Sequence, residues 1–156
     1  MTNKKSALQT SDTSLQLDNQ LCFALYSASL AMTKLYKPFL QTLSLTYPQY
    51  LVMMALWERD GQIVSELAER LFLDSGTLTP LLKRLETAGL VRRARATDDE
   101  RRVLIHLNDS GRALRQKALK IPPCMFKAMN CTFPEIDAIT KQMQALRNRL
   151  TVLHKQ

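Results

Sequence analysis

The stretch S-G-T-L-T-P-L-L-K-R-L-E-T-A-G-L-V-R-R-A-R-A-T-D-D-E-R-R-V-L-I-H-L, residues 75–107, decides the fold. Its first half is helical in pattern. Leu78, Leu81, Leu82 and Leu85 recur at spacings of three and four and form a stripe to be buried. Gly89 stands where a C′ glycine belongs. Gly76 and Pro80 lie in or near the first turns, where they disturb a helix least. The second half alternates instead. Residues 90–95 and 102–107 read as two strands, the second with Val103, Ile105 and Leu107 on one side. The charged tip A-T-D-D-E-R turns the chain between them.

Just upstream, I-V-S-E-L-A-E-R-L-F over 63–72 predicts a short helix with Ile63, Leu67, Ala68 and Leu71 inward. Leu73-Asp74-Ser75 is a tight turn that offers an N-cap. Helix, turn, helix and hairpin in this order make a winged helix-turn-helix. The second helix fits a major groove, and the hairpin reaches phosphates or the neighbouring minor groove. The solvent side of the second helix carries Ser75, Thr77, Thr79, Lys83 and Arg84, donors suited to phosphates and base edges. The hairpin sets Arg92, Arg93, Arg95, Arg101 and Arg102 against Asp98, Asp99 and Glu100. A guanidinium at a hairpin tip suits the negative potential of a narrow minor groove. Either element alone also fits a solvated helix or an ordinary hairpin; their succession points to double-stranded DNA.

The flanks are helical. From Leu15 onward Leu21, Leu25, Ala28, Met32 and Leu35 keep helical spacing, and Pro38 ends this helix or lies in the turn after it. A second helix starts at Pro48, carries Leu51, Met54, Ala55 and Trp57, and stops near Asp60-Gly61. After the hairpin, Asn108, Asp109 and Ser110 offer caps for a long helix over about 110–130, which Pro122-Pro123 must kink or break. A last helix opens at Thr132 to Glu135 and runs towards Leu153, with Ile136, Ile139, Met143, Leu146 and Leu150 on one face. The expected organisation is therefore a loose tail over 1–14, an N-terminal helical segment over 15–47, the DNA-binding unit over 48–109 and C-terminal helices over 110–156. The fold class is mainly α with a small β-hairpin.

Composition agrees. The chain has 156 residues, 46% of them hydrophobic, only four glycines and a formal charge of +8. That size buries enough surface to need no disulfide or metal, and a basic excess draws polyanions. Cys22, Cys124 and Cys131 include no C-x-x-C pair, and His106 and His154 lie far apart, so neither a zinc site nor a cofactor is expected. The polar first eighteen residues, with Lys4 and Lys5, form neither a secretion signal nor a membrane span. The odd cysteine count suits a reducing cytoplasm.

The stretches L-D-S-G-T-L-T-P-L-L-K-R-L-E-T-A-G-L-V-R-R and D-D-E-R-R-V-L-I-H-L-N-D-S-G resemble the MarR family of bacterial regulators. Members end the recognition helix with L-x-x-x-G-L-[VI] and hold the wing with D-x-R. The likeness spans roughly residues 15–153. It implies that Asp99 orients the wing and Arg101 enters the minor groove. It further implies that Ser75, Thr77, Pro80, Lys83 and Arg84 face the major groove, and that the protein is a homodimer joined by helices from both chain ends. The apolar stripes after Leu15 and after Glu135 exceed what a small winged helix needs.

A second constellation surrounds Cys22, with Tyr26 at i+4 on the same helix face. Packing alone also places free cysteines on buried faces. The segments Q-L-C-F-A-L-Y-S-A-S, L-Y-K-P and L-T-Y-P-Q-Y-L-V-M, however, are similar to the organic-hydroperoxide-sensing, OhrR-type branch of the family. There a reactive cysteine sits near tyrosines matching Tyr26, Tyr36 and Tyr47. A thiolate attacks peroxides, and phenolic hydroxyls that donate to it favour its charged form. Apolar neighbours such as Phe23, Leu25 and Met54 suit an organic hydroperoxide. Some members carry a resolving cysteine that forms a disulfide with the reactive one of the other subunit; Cys124 and Cys131 are both candidates. The resemblance thus implies a repressor that releases its operator on oxidation. Two alternatives stand beside it: a MarR-type repressor released by a small phenolic ligand, and a thiol peroxidase, for which no arginine is clearly paired with Cys22.

Overall fold

The computed structural model describes residues 12–99 and 101–153. Most of the expected tail, Glu100 of the wing tip and His154 lie outside them. Two 3-10 turns, Asp12–Leu15 and Leu17–Asn19, precede helix α1, Leu21–Gln41. Leu15 and Leu17 are therefore not part of α1; Gln20 breaks the run in an extended conformation and serves as N-cap. Pro38 corrects the expectation too. It lies inside α1, which runs on to Gln41. Proline removes one i→i−4 bond, but the turn beyond it buries Leu40, followed by Leu43 and Leu45.

Helix α2, Tyr47–Glu58, opens with a capping box: the Gln49 amide donates to Thr46 Oγ1 at 3.4 Å, and the Thr46 amide donates to Gln49 Oε1 at 2.8 Å. Ile63 belongs to a short strand, β1, Gln62–Ile63, rather than to the following helix. Helix α3 is Val64–Leu71 and helix α4 is Ser75–Thr87. Strands β2, Val91–Arg95, and β3, Val103–Leu107, complete a three-stranded antiparallel sheet in the order β1-β3-β2. Gln62 pairs with Ile105, and Arg93 pairs with Ile105 from the other side.

Downstream, the expected single kinked helix is two. Helix α5, Asp109–Ala118, ends before the prolines, and α6, Ile121–Met129, carries them in its first turn. Proline at a helix start gives up no internal hydrogen bond, so the break falls ahead of Pro122 rather than at it. Asn130, at φ 51°, ends α6. Helix α7, Phe133–Leu153, follows a reciprocal cap between Thr132 and Glu135.

The core gathers Leu40, Tyr50, Val52, Met53 and Leu56 with Leu67, the four α4 leucines, Val91, Ile105 and Met125. The leucines at 78, 81, 82 and 85 are all buried, as their spacing predicts. On α7 the case differs: Ile139 and Leu150 stay about half exposed, lining an open hollow with Leu25 of α1.

Candidate nucleic-acid interface and sensing site

Three devices fix the orientation of α4. At its start Asp74 accepts the Thr77 amide on Oδ1 at 2.7 Å and the Thr77 hydroxyl on Oδ2 at 3.0 Å. These bonds, the amide foremost, hold the Asp74 carboxyl below its ordinary pKa. At its end Gly89, at φ +73°, lets its amide reach Glu86 O (2.9 Å) and the Leu90 amide reach Leu85 O (3.0 Å). That is the Schellman pattern. Between the ends, the leucine stripe presses one face inward. Ser75, Thr77, Pro80, Lys83 and Arg84 are left on the exposed side. Thr79 donates to Ser75 O at 2.7 Å and so bonds within its own helix.

The wing shows an internal lock. Asp99 Oδ1 accepts the Arg101 amide at 3.0 Å and lies 3.5 Å from Arg101 Nε, while Asp99 O accepts the Arg102 amide at 2.9 Å. Arg101 is thereby carried at the tip with its side chain 94% exposed. Arg102 pairs with Asp98 at 2.8 Å. Arg93 folds back onto Glu86 at 3.3 Å, tying the wing to the end of α4. Arg95 is exposed on β2. Asn108 joins the wing's base to the same corner, its side-chain amide donating to Gly89 O at 3.1 Å and Val91 O at 3.2 Å.

Sequence reasoning missed two residues that position this unit. Gln62 is buried, and its Nε2 donates to Ala55 O and Arg59 O at 2.7 and 2.6 Å, capping the end of α2. Asp60 Oδ1 accepts the amides of Leu107 (2.7 Å) and Gly61 (2.9 Å), and Oδ2 pairs with Arg112 at 3.0 Å. Asp60 lies in the bend after α2 and Gln62 in a two-residue strand, and neither is long enough to carry a periodicity that betrays a long-range partner. The D-G pair was the one local sign.

Cys22, Cys124 and Cys131 are free and exposed. Tyr26 shares α1 with Cys22 and is 63% exposed. Tyr36 and Tyr47 stack at 4.8 Å between ring centroids, and Tyr50, which the sequence reading left out, joins them at 6.0 Å from Tyr36. Burial, then the charges that Tyr47 and Tyr50 would carry, pushes the Tyr36 phenol up to about 12. Burial likewise raises Tyr47. Within one chain this cluster is remote from Cys22: fourteen helical residues span roughly 21 Å. Cys124 lines a hollow of about 420 Å³ with Phe39, Thr42, Lys117, Lys120 and Ile121. Cys131 sits at the α6–α7 corner, its thiol donating to Met129 O at 3.3 Å, beside the Phe126–Phe133 ring pair at 5.9 Å. No group of described residues could hold a metal ion, and no described helix is long and apolar enough to cross a membrane.

Residues 34–118 match the family described as transcriptional regulator SarA/Rot. Over 108 residues the chain is 54% identical to the organic hydroperoxide resistance transcriptional regulator of Bacillus subtilis (strain 168), covering 69% of this chain and 74% of that one. Among solved structures, reduced AbfR bound to DNA is 35% identical with a TM-score of 0.73, covering 91% of this chain and 97% of that one. Disulfide-formed AbfR is 33% identical with a TM-score of 0.59, covering 92% and 96%; AbfR comes from Staphylococcus epidermidis. The named relatives are regulators, not enzymes, which sets the thiol-peroxidase alternative aside.

Proposed function

Because this chain belongs to the SarA/Rot family of MarR-like, winged-helix, DNA-binding transcriptional regulators, we propose that it is a homodimeric repressor that releases an inverted-repeat operator when an organic hydroperoxide oxidises Cys22. It acts in the bacterial cytoplasm, where thiols are kept reduced. Ser75, Thr77, Pro80, Lys83 and Arg84 read the major groove. Arg95 and Arg101 reach phosphate and minor groove from the wing that Asp99 orients, with Arg93 and Arg102 beside them. The open apolar faces of α1 and α7 bury each other across a two-fold axis, forming the dimer.

One observation carries the sensing part: the phenols suited to hold a thiolate lie far from Cys22 along its own α1. A second copy brings them together, so that Cys22 of one protomer meets Tyr36 and Tyr47 of its partner, with Tyr26 on its own helix. The Tyr36 phenol, pushed up to about 12, and the Tyr47 phenol, raised by burial, remain protonated donors at neutral pH. Their hydrogen bonds favour the thiolate. The thiolate attacks the terminal peroxide oxygen; the O–O bond breaks, the alkoxide takes up a proton and leaves as an alcohol, and Cys22 becomes a sulfenic acid. Cys124 or Cys131 of the partner then attacks that sulfur. An S–S bond forms and hydroxide leaves as water. A disulfide needs Cα atoms roughly 4.4–6.8 Å apart. Drawing the helices to that distance shifts the two α4 helices off their spacing of roughly 34 Å and frees the DNA. A thousandfold loss of affinity requires about 4 kcal/mol between the two states. The relatives support this reading: one is an organic hydroperoxide resistance regulator, and AbfR has been solved both reduced on DNA and in a disulfide form.

The test is release of a duplex that the chain itself enriches from a randomised pool. Cumene hydroperoxide should release wild-type protein and leave Cys22→Ser bound. Release that persisted in Cys22→Ser would favour the second reading, a phenolic ligand. The observation behind that reading is the hollow of about 240 Å³ lined by Tyr50, Met54, Trp57 and Arg115.

A further inference from the structure

We propose that Arg147, on the last helix, is a positioning residue for the recognition helix. Through the ring of Phe72 it makes α7 the strut that sets the angle of the helix-turn-helix.

The turn ahead of α4 is unusual. Phe72 caps the end of α3 at φ 55° and ψ 35°, a left-handed conformation that a bulky side chain rarely adopts. Phe72 is 54% exposed, yet its ring is engaged. The guanidinium carbon of Arg147 stands 4.2 Å from the ring centroid, within cation–π range. Arg147 forms no ion pair among the described residues, so this ring is the contact that engages its charge. One turn further along, Thr151 and Val152 face Ala68, Glu69, Leu73 and Asp74 across a groove. On its other side Arg147 lines, with Leu25, the hollow between α7 and α1. Leu25 is one turn from Cys22.

The turn itself transmits force as a unit. Its amides are bound backwards, Phe72 N–H to Glu69 O at 3.2 Å and Leu73 N–H to Ala68 O at 2.9 Å. Asp74 then grips the first turn of α4 through Thr77. A displacement of the Phe72 ring therefore moves the start of α4 with it. Helix α7 thus touches the residues that aim α4 while its other side lines the hollow towards α1. The inference rests on the DNA-binding fold and not on the redox reading, so a protein deaf to peroxide leaves it standing.

The test measures binding of reduced full-length protein to the pool-selected duplex over a salt series. Arg147→Met keeps the stem and removes the cation; Phe72→Leu keeps an apolar side chain and removes the ring. Each should weaken binding about three- to tenfold. The double variant should be no worse than either single one, because both cut the same contact. Arg147→Lys, still cationic, should bind within about twofold of wild type. The slope of log affinity against log salt should stay at the wild-type value in Arg147→Met. Unchanged affinity in Arg147→Met would overturn the proposal, as would fully additive losses. A slope shallower by about one would also overturn it, since Arg147 would then be a direct phosphate ligand.

Discussion

Where α2, β3 and α5 meet, the carboxylate of Asp60 accepts two amides and pairs with Arg112. Burial pushes its pKa up, but the Leu107 and Gly61 amides and the Arg112 charge outweigh that, and the group ends below its ordinary value. A depressed carboxyl stabilises the fold in its ionised form. That contribution is complete above about pH 4, where the unfolded chain is also ionised, and is lost as pH falls through the lower folded value. Asp60→Asn keeps an acceptor but loses the charge, and the half-exposed arginine limits the cost. We expect a loss of about 1–2 kcal/mol at pH 7. Urea unfolding at pH 7 and pH 3 checks it: the gap between wild type and variant should narrow at the lower pH.

Among the elements, α5 and the wing's base meet closely at Gly111. A Cβ at Gly111 would collide with the Leu90 carbonyl oxygen and approach Leu107 Cδ2. Glycine inside a helix ordinarily costs stability relative to alanine. Here the sign should reverse, because backbone atoms cannot step aside. Gly111→Ala is expected to destabilise by about 1–3 kcal/mol, seen as a drop of several degrees in a circular-dichroism melt. The helices themselves were legible, since leucine spacing, Asp74 and Gly89 each act within one turn. Strand β1 was not. Two residues, Gln62 and Ile63, carry no period, and their pairing with Ile105 and Leu104 is set by tertiary contact. The break ahead of Pro122 was read a few residues late, because a proline pair signals that a helix changes without saying whether it ends one or starts another.

At the scale of the whole molecule, α1 and α7 leave several large apolar side chains outside the core, with Leu21, Leu30, Ile139 and Leu150 all substantially exposed. If these faces join two copies, Ile139→Glu should leave the melting of the single chain nearly intact. It should raise the dimer dissociation constant by at least about tenfold through the cost of an unpaired buried charge, measurable by sedimentation equilibrium. The DNA-reading surface was legible in one chain's sequence because helix and hairpin are contiguous there. The tyrosines proposed to serve Cys22 were not derivable that way. Local spacing linked only Tyr26 to the cysteine; Tyr36 and Tyr47 came from family likeness, and one chain's geometry keeps them apart.

The chain's single tryptophan, Trp57, joins α2 to α5, its indole N–H donating to Gly111 O at 2.9 Å and its ring 6.3 Å from that of Tyr50. Any tilt of α5 against α2 therefore changes the polarity and quenching felt by that one chromophore. The protein contains its own optical gauge of any shift between these two helices, readable by emission wavelength without a label.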